Sequence, residues 1–247
     1  MPGPAEQAEV VVTAMDSAAG EPAPHLGMTV PAAVRRGVAP GKPLLRGWLH
    51  LVWFEASLVL GTLALARAHG GVRTTAMAVF AASVSAMLGV SALYHRGNWT
   101  ATGRRRLQRL DHAMIFLLIA GTATPAFLLA THGALRVACL IVIWALTLTA
   151  AVIHMVWMNA PERVVGATFI GLGWTAGLAV PAVWLHSGVP AGTLMLAGGL
   201  LYTAGALSYH RRWPNPYPAV FGYHEVFHVY VCAAVACQYI AITLFIA

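Results

Sequence analysis

The sequence predicts an all-α membrane protein, a bundle of seven transmembrane helices, and three observations carry that prediction. Apolar residues make up 59% of the 247 residues and charged residues only 9%, against about 25% charged in a typical soluble protein. The eight acidic residues are unevenly spread: Glu6, Glu9, Asp16 and Glu21 lie near the start, leaving Glu55, Asp111, Glu162 and Glu225 for everything after. Seven apolar stretches are each long enough to cross about 30 Å of hydrocarbon. A chain so short of charge cannot clothe a soluble surface, and in lipid a helix satisfies its own backbone groups. A soluble enzyme or binding domain is excluded.

Residues 1–42 are rich in Ala, Pro and Gly without sustained helical periodicity, so a disordered cytoplasmic tail is expected there. No basic start leads into an apolar run, so no cleavable signal peptide is expected. The membrane domain then occupies 43–247, with spans near 48–67, 74–95, 110–130, 135–158, 163–185, 191–209 and 224–246. Pro125 and Pro181 fall inside spans and should kink them. Gly173 and Gly177 form a G-x-x-x-G pair, which points to a close helix contact. Cys139, Cys232 and Cys237 lie in apolar stretches without metal-type spacing and read as buried small hydrophobes.

Orientation follows from the basic residues. With the N-terminus inside, twelve Lys and Arg lie on the inner side, among them Lys42, Arg46, Arg96, Arg104–Arg106 and Arg109, against three outside, Arg67, Arg73 and Arg136. The positive-inside rule therefore places the N-terminus in the cytoplasm and, after seven crossings, the C-terminus outside. The same rule accounts for the net charge of +7 without a nucleic-acid partner.

Ionisable groups inside a span cost about 2.5–3.5 kcal/mol each on insertion scales, so each needs a reason. In this topology Ser91 and His95 close the second span at its inner end. Asp111 and His112 open the third there, His224 and His228 open the seventh, and His50 starts the first. Residues far apart in sequence thus converge on one layer near the cytoplasmic face. His224 and His228 are spaced i, i+4 and share a helix face, as do Ser91 and His95. With His95, the pair would complete a three-histidine zinc site whose fourth position stays open, the mark of a catalytic rather than structural centre. Asp111 could take a proton from a water there, and Ser91 could orient a ligand or steady an oxyanion. His69, His132, His154 and His186 read instead as interfacial or packing residues. Glu55, mid-span in the first helix, has no evident partner.

Literally, His224-Glu225-Val226-Phe227-His228 also spells the H-E-x-x-H of zinc proteases. Residues 229–247 hold no His, Asp or Glu to supply the further ligand, however, and Glu225 points about 100° away from the histidine face. The protease reading fails.

Several stretches together resemble the hemolysin III group of the progestin and adiponectin receptor superfamily, which is related to the alkaline ceramidases. They are Arg46-Gly-Trp-Leu-His50, Ser91-Ala-Leu-Tyr-His95-Arg, Arg109-Leu-Asp111-His-Ala-Met-Ile-Phe, Gly121-Thr-Ala-Thr-Pro125, Trp213-Pro-Asn-Pro-Tyr-Pro and Phe221-Gly-Tyr-His224-Glu-Val-Phe-His228. Ala123 departs from the family, where an aromatic often stands, and Glu55 belongs to no motif of it. The resemblance implies zinc near the cytoplasmic end of the bundle on His95, His224 and His228, with Asp111 and Ser91 beside it. It also implies a zinc-dependent hydrolase of a lipid amide or ester, with membrane lipids as partners. The alternative is a non-catalytic receptor-like regulator, or a pore-forming cytolytic protein, with structural zinc. Short loops and the lack of a secretion signal suit the bacterial inner (plasma) membrane better than an exported toxin.

Overall fold

The computed structural model describes residues 42–157 and 160–246, so the tail expectation over 1–42 falls almost wholly outside the described residues. Among the described residues, seven helices are long and apolar enough to span a membrane. They comprise α1 (Trp48–Arg67), α2 (Gly71–Arg96), α3 (Ala101–Ala130), α4 (Gly133–Val156), the paired α5 (Glu162–Gly177) and α6 (Val180–Ser187), α7 (Val189–Arg211) and α8 (Tyr223–Ala241). A wider π-type turn, Ile242–Ile246, extends α8.

Most boundaries match the hydropathy expectation within a turn, with two instructive exceptions. Helix α3 begins at Ala101, well before the apolar stretch starts at Leu110. Thr100 caps it, its Oγ1 accepting from the Gly103 N–H at 3.2 Å, and a charged run is no obstacle to helix in water or headgroups. Asp111 therefore sits three turns into a helix rather than at its start. The fifth span is broken at Leu178-Ala179, because Pro181 offers no N–H to the Gly177 carbonyl and its ring crowds that carbonyl. Pro125 behaves differently and stays buried within the single helix α3.

Helix packing follows chain order, and α8 lies against both α7 and α1 to close the bundle. Helix α3 is central, with 67% of its span buried, whereas the α5–α6 span is peripheral at 11%. Lipid tails are as apolar as leucine, so close packing of small residues, not hydrophobicity, must hold such helices together. The stretch of α3 that is buried on every side accordingly reads Ala120, Gly121, Thr122, Ala123, Thr124, Pro125, Ala126. A Cβ at Gly121 would stand 2.0 Å from Ser83 Oγ of α2. Gly173 has open space around it, so the G-x-x-x-G pair is not the contact expected of it. Close approaches between helices are made instead at glycines such as Gly121 against Ser83 of α2, and Gly198 and Gly205 against Gln238 and Tyr230 of α8, where a Cβ would stand 2.0, 2.5 and 2.8 Å from its neighbour.

Candidate metal centre

Four helix ends meet at the basic end of the bundle. His95 is the penultimate residue of α2, His224 and His228 lie in the first two turns of α8, His50 in the first turn of α1, and Asp111 in α3. The nitrogens of His95, His224 and His228 all lie within 4.8 Å of one another. His95 Nε2 and His224 Nε2 are 3.2 Å apart. Two nitrogens bound to one tetrahedral zinc at ordinary bond lengths would be separated by about 3.3–3.4 Å.

The donor set fits an ion. His228 is 2% exposed, and its Nδ1 has no hydrogen-bond partner among the described residues. Burying such a group unsatisfied is unfavourable by about 1–3 kcal/mol. Coordination of the three rings to one ion would relieve the cluster, and three imidazoles suit zinc among other first-row metals.

The carboxylate and hydroxyl named from the sequence are present beside the histidines. Asp111 Oδ2 is 3.9 Å from His95 Nε2, and Ser91, one turn before His95 on the same face of α2, stands near the Asp111 side chain. All five candidate residues, His95, His224, His228, Asp111 and Ser91, therefore share one locality.

Other contacts were not legible in the sequence. Glu225, the residue that made the motif look like a protease, is fully buried and forms an ion pair with Arg46. Its second oxygen accepts from the Gly222 N–H at 2.8 Å, which is half of a capping box; Gly222 has no side chain to supply the other half. Glu225 is thus an anchor for the start of α8. Backbone bonds reinforce it: Leu44 N–H donates to Ala219 O at 3.1 Å and Leu45 N–H to Val220 O at 3.0 Å. Asn215 Oδ1 accepts from the Tyr223 N–H at 3.0 Å.

His50 stacks on His228, ring centroids 3.7 Å apart and planes within 9°. Both its nitrogens are buried without partners among the described residues. The sequence placed His50 in this layer without giving it a role; the geometry makes it a wall of the centre. The signal available was the i, i+4 spacing of Arg46 and His50 across Gly47.

Gly47 itself is required. Its φ is +78°, and a Cβ there would lie 2.8 Å from His95 Cβ. Gly47→Ala should strain the backbone and push His95 aside, weakening metal binding about tenfold or more, as loss of a supporting contact does. Competition with a chromogenic chelator measures this, and unchanged affinity would remove Gly47 from the site.

Histidines assigned to packing sit elsewhere. His154 stacks on Phe169, centroids 5.8 Å apart, and His132 meets His186 edge-on at 5.6 Å. Glu55 is exposed on the outer side of α1. Cys139, Cys232 and Cys237 are free thiols.

Fold and site together define an integral membrane protein of seven helices that gathers three histidines, a carboxylate and a hydroxyl at one end. Residues 39–239 match the family model described as haemolysin-III related. The chain belongs to that family. It is 28% identical over 138 residues to "Hemolysin-3" of Bacillus cereus, a match covering 56% of this chain and 60% of the relative. It is 26% identical over 140 residues to "Hemolysin-3 homolog" of Bacillus subtilis (strain 168), covering 56% and 62%. The matched region thus spans about three-fifths of these relatives' own length.

Proposed function

We propose that this protein is a zinc-dependent hydrolase of a lipid amide or ester, working at the cytoplasmic side of a bacterial plasma membrane. The observation that carries this reading is the carboxylate of Asp111 standing 3.9 Å from His95 within a cluster of three convergent imidazoles. A hydrolytic centre needs an acid–base group beside an open fourth position, whereas a structural site commonly fills that position with a protein ligand. Zinc held on His95, His224 and His228 would supply Lewis acidity and a supply of activated water at neutral pH. In this reading Asp111 takes a proton from an attacking water and returns it to a leaving amine or alkoxide. Ser91 orients that carboxylate, or donates to the oxygen on which negative charge develops. His50 and Tyr209 flank the histidines, Tyr209 meeting the His224 ring at 5.2 Å, and their rings would help exclude bulk water.

The test separates chemistry from folding. Purified Asp111→Asn should retain its metal and its melting temperature. It should lose about 100-fold or more of fatty-acid release from ceramide-like amides or lipid esters. An Asp111→Asn variant as active as wild type would sink the assignment.

The hemolysin names of the relatives favour a second reading, a pore-forming or lytic membrane protein with structural zinc, and a receptor-like regulator would share that zinc role. Leakage of dye from liposomes, equal in wild type and in His224→Ala/His228→Ala, would support lysis and count against hydrolysis. Orientation with the N-terminus inside rests on the basic residues and is checked by cysteine accessibility from either side.

A further inference from the structure

Helix α1 has two faces with different neighbours. His50, Ser57, Gly61 and Ala64 are buried against the bundle. Trp48, Val52, Glu55, Val59, Thr62 and Ala66 are all exposed. Their steps of four and three residues keep them in one line, close to half a turn round the helix from the buried face. Beyond Trp48 and Glu55 the line holds only small or β-branched side chains, with Leu58 on one side of it and Leu63 on the other. The face is therefore hollow along its middle, where Leu58, Val59, Thr62 and Leu63 line a shallow open groove.

Glu55 is out of place on such a face. The Arg96 guanidinium sits 3.7 Å over the Trp48 ring, and a tryptophan at a span end marks the membrane interface. Glu55 lies seven residues further along α1, about 10 Å into the hydrocarbon. A carboxyl turned towards lipid at that depth is unfavourable, and Glu55 has no ion-pair partner among the described residues.

We propose that this face of α1 is the contact between two copies of the chain, paired as a parallel two-helix seam in which the Glu55 carboxyls meet. A second copy inserts by the same charge rule, so its α1 runs parallel and its Glu55 arrives at the same depth. A two-fold axis then sets each carboxyl against its own counterpart. Two carboxyls that hold a proton between them supply one another's donor and acceptor, so the self-contact satisfies Glu55 without a cation from elsewhere. Val52 and Val59 alternate with Glu55 and Thr62 along the seam, and β-branched residues at alternate seam positions favour two strands. Leu58 and Leu63 of each copy would close the groove of the other. Close packing joined to an interhelical hydrogen bond is what holds helices together in lipid. This contact is independent of the hydrolase reading.

Full-length protein, labelled in separate batches with donor and acceptor dyes, is reconstituted together in phosphatidylcholine–phosphatidylglycerol vesicles, and energy transfer is followed as lipid dilutes the protein. Transfer should follow a saturable monomer–dimer curve. Glu55→Leu should weaken association about tenfold. Glu55→Gln, whose amide also donates and accepts, should stay within about threefold of wild type. The melting temperature of Glu55→Leu, measured in detergent at monomeric dilution, should match wild type. A fall there would mean that the carboxyl is tied within its own chain and would overturn the proposal. Oxidative cross-linking in the same vesicles, with Cys139, Cys232 and Cys237 replaced by alanine, reads the face. Val59→Cys and Thr62→Cys should link two chains, whereas Leu60→Cys and Leu65→Cys, exposed on other sides of α1, should not. Equal cross-linking at all four positions, or no energy transfer at any density, would overturn the seam. Association as tight in Glu55→Leu as in wild type would overturn the carboxyl pairing.

Discussion

Replacing His224 and His228 together by alanine is expected to take bound metal from about one equivalent per chain to below about a tenth. The seven-helix fold should survive. The pair supplies two of the three convergent nitrogens, and a lone His95 cannot hold an ion against competing water. The spans themselves depend on apolar length and small-residue packing, neither of which the substitution touches. Elemental analysis after dialysis against a weak chelator gives the metal content, and circular dichroism gives the helix content. Metal retained at the wild-type level would show that the three-histidine cluster is not the binding site. Loss of helix together with metal would point to a structural ion instead.

Arg46→Met should destabilise the protein by about 3–5 kcal/mol, the usual consequence of leaving one half of a buried ion pair behind. Glu225 is completely buried, and Arg46 is its charged partner. The same substitution loosens the start of α8, so metal affinity should fall about 10–100-fold, as for other groups that orient ligands. Arg46→Met/Glu225→Met removes both charges and should recover most of the stability, because well-packed apolar residues can replace a buried pair with little loss. It should not recover all the metal affinity, since the Gly222 N–H would still lack the carboxylate that caps it. Denaturation in a graded detergent mixture, run as a double-mutant cycle, measures the coupling. Single and double variants of equal stability would mean that the pair contributes nothing.

Both expectations depend on a division of labour that the H-E-x-x-H spelling conceals. In that motif the glutamate is the base. Here Glu225 caps and anchors its helix, and the acid–base position falls to Asp111, 114 residues earlier. The spelling is therefore a consequence of helix-start chemistry: an acidic residue in the first turn meets free N–H groups and the positive end of the dipole.

Much could be read without coordinates. Span number and approximate limits follow from apolar length, because lipid admits no other backbone solution for a chain of this composition. Convergence of Ser91, His95, Asp111, His224 and His228 follows from counting crossings: helices that alternate in direction bring alternate ends to one side. Topology says which end a residue occupies. It does not say what the residue touches. Arg46 with Glu225, His50 on His228 and Gly47 against His95 join the lead-in and first turn of α1 to other helices, and each depends on rotation and depth. A helix turned by 100° would keep every hydropathy window unchanged while removing all of these contacts. For the same reason Gly173 and Gly177 carry a packing pattern with nothing packed at Gly173, while Gly121, outside any such pair, meets Ser83. Length and composition decided that seven helices cross the membrane with their polar residues at one end. The rotation of each helix, set by which small residues let neighbours approach, decided that those polar residues form a site.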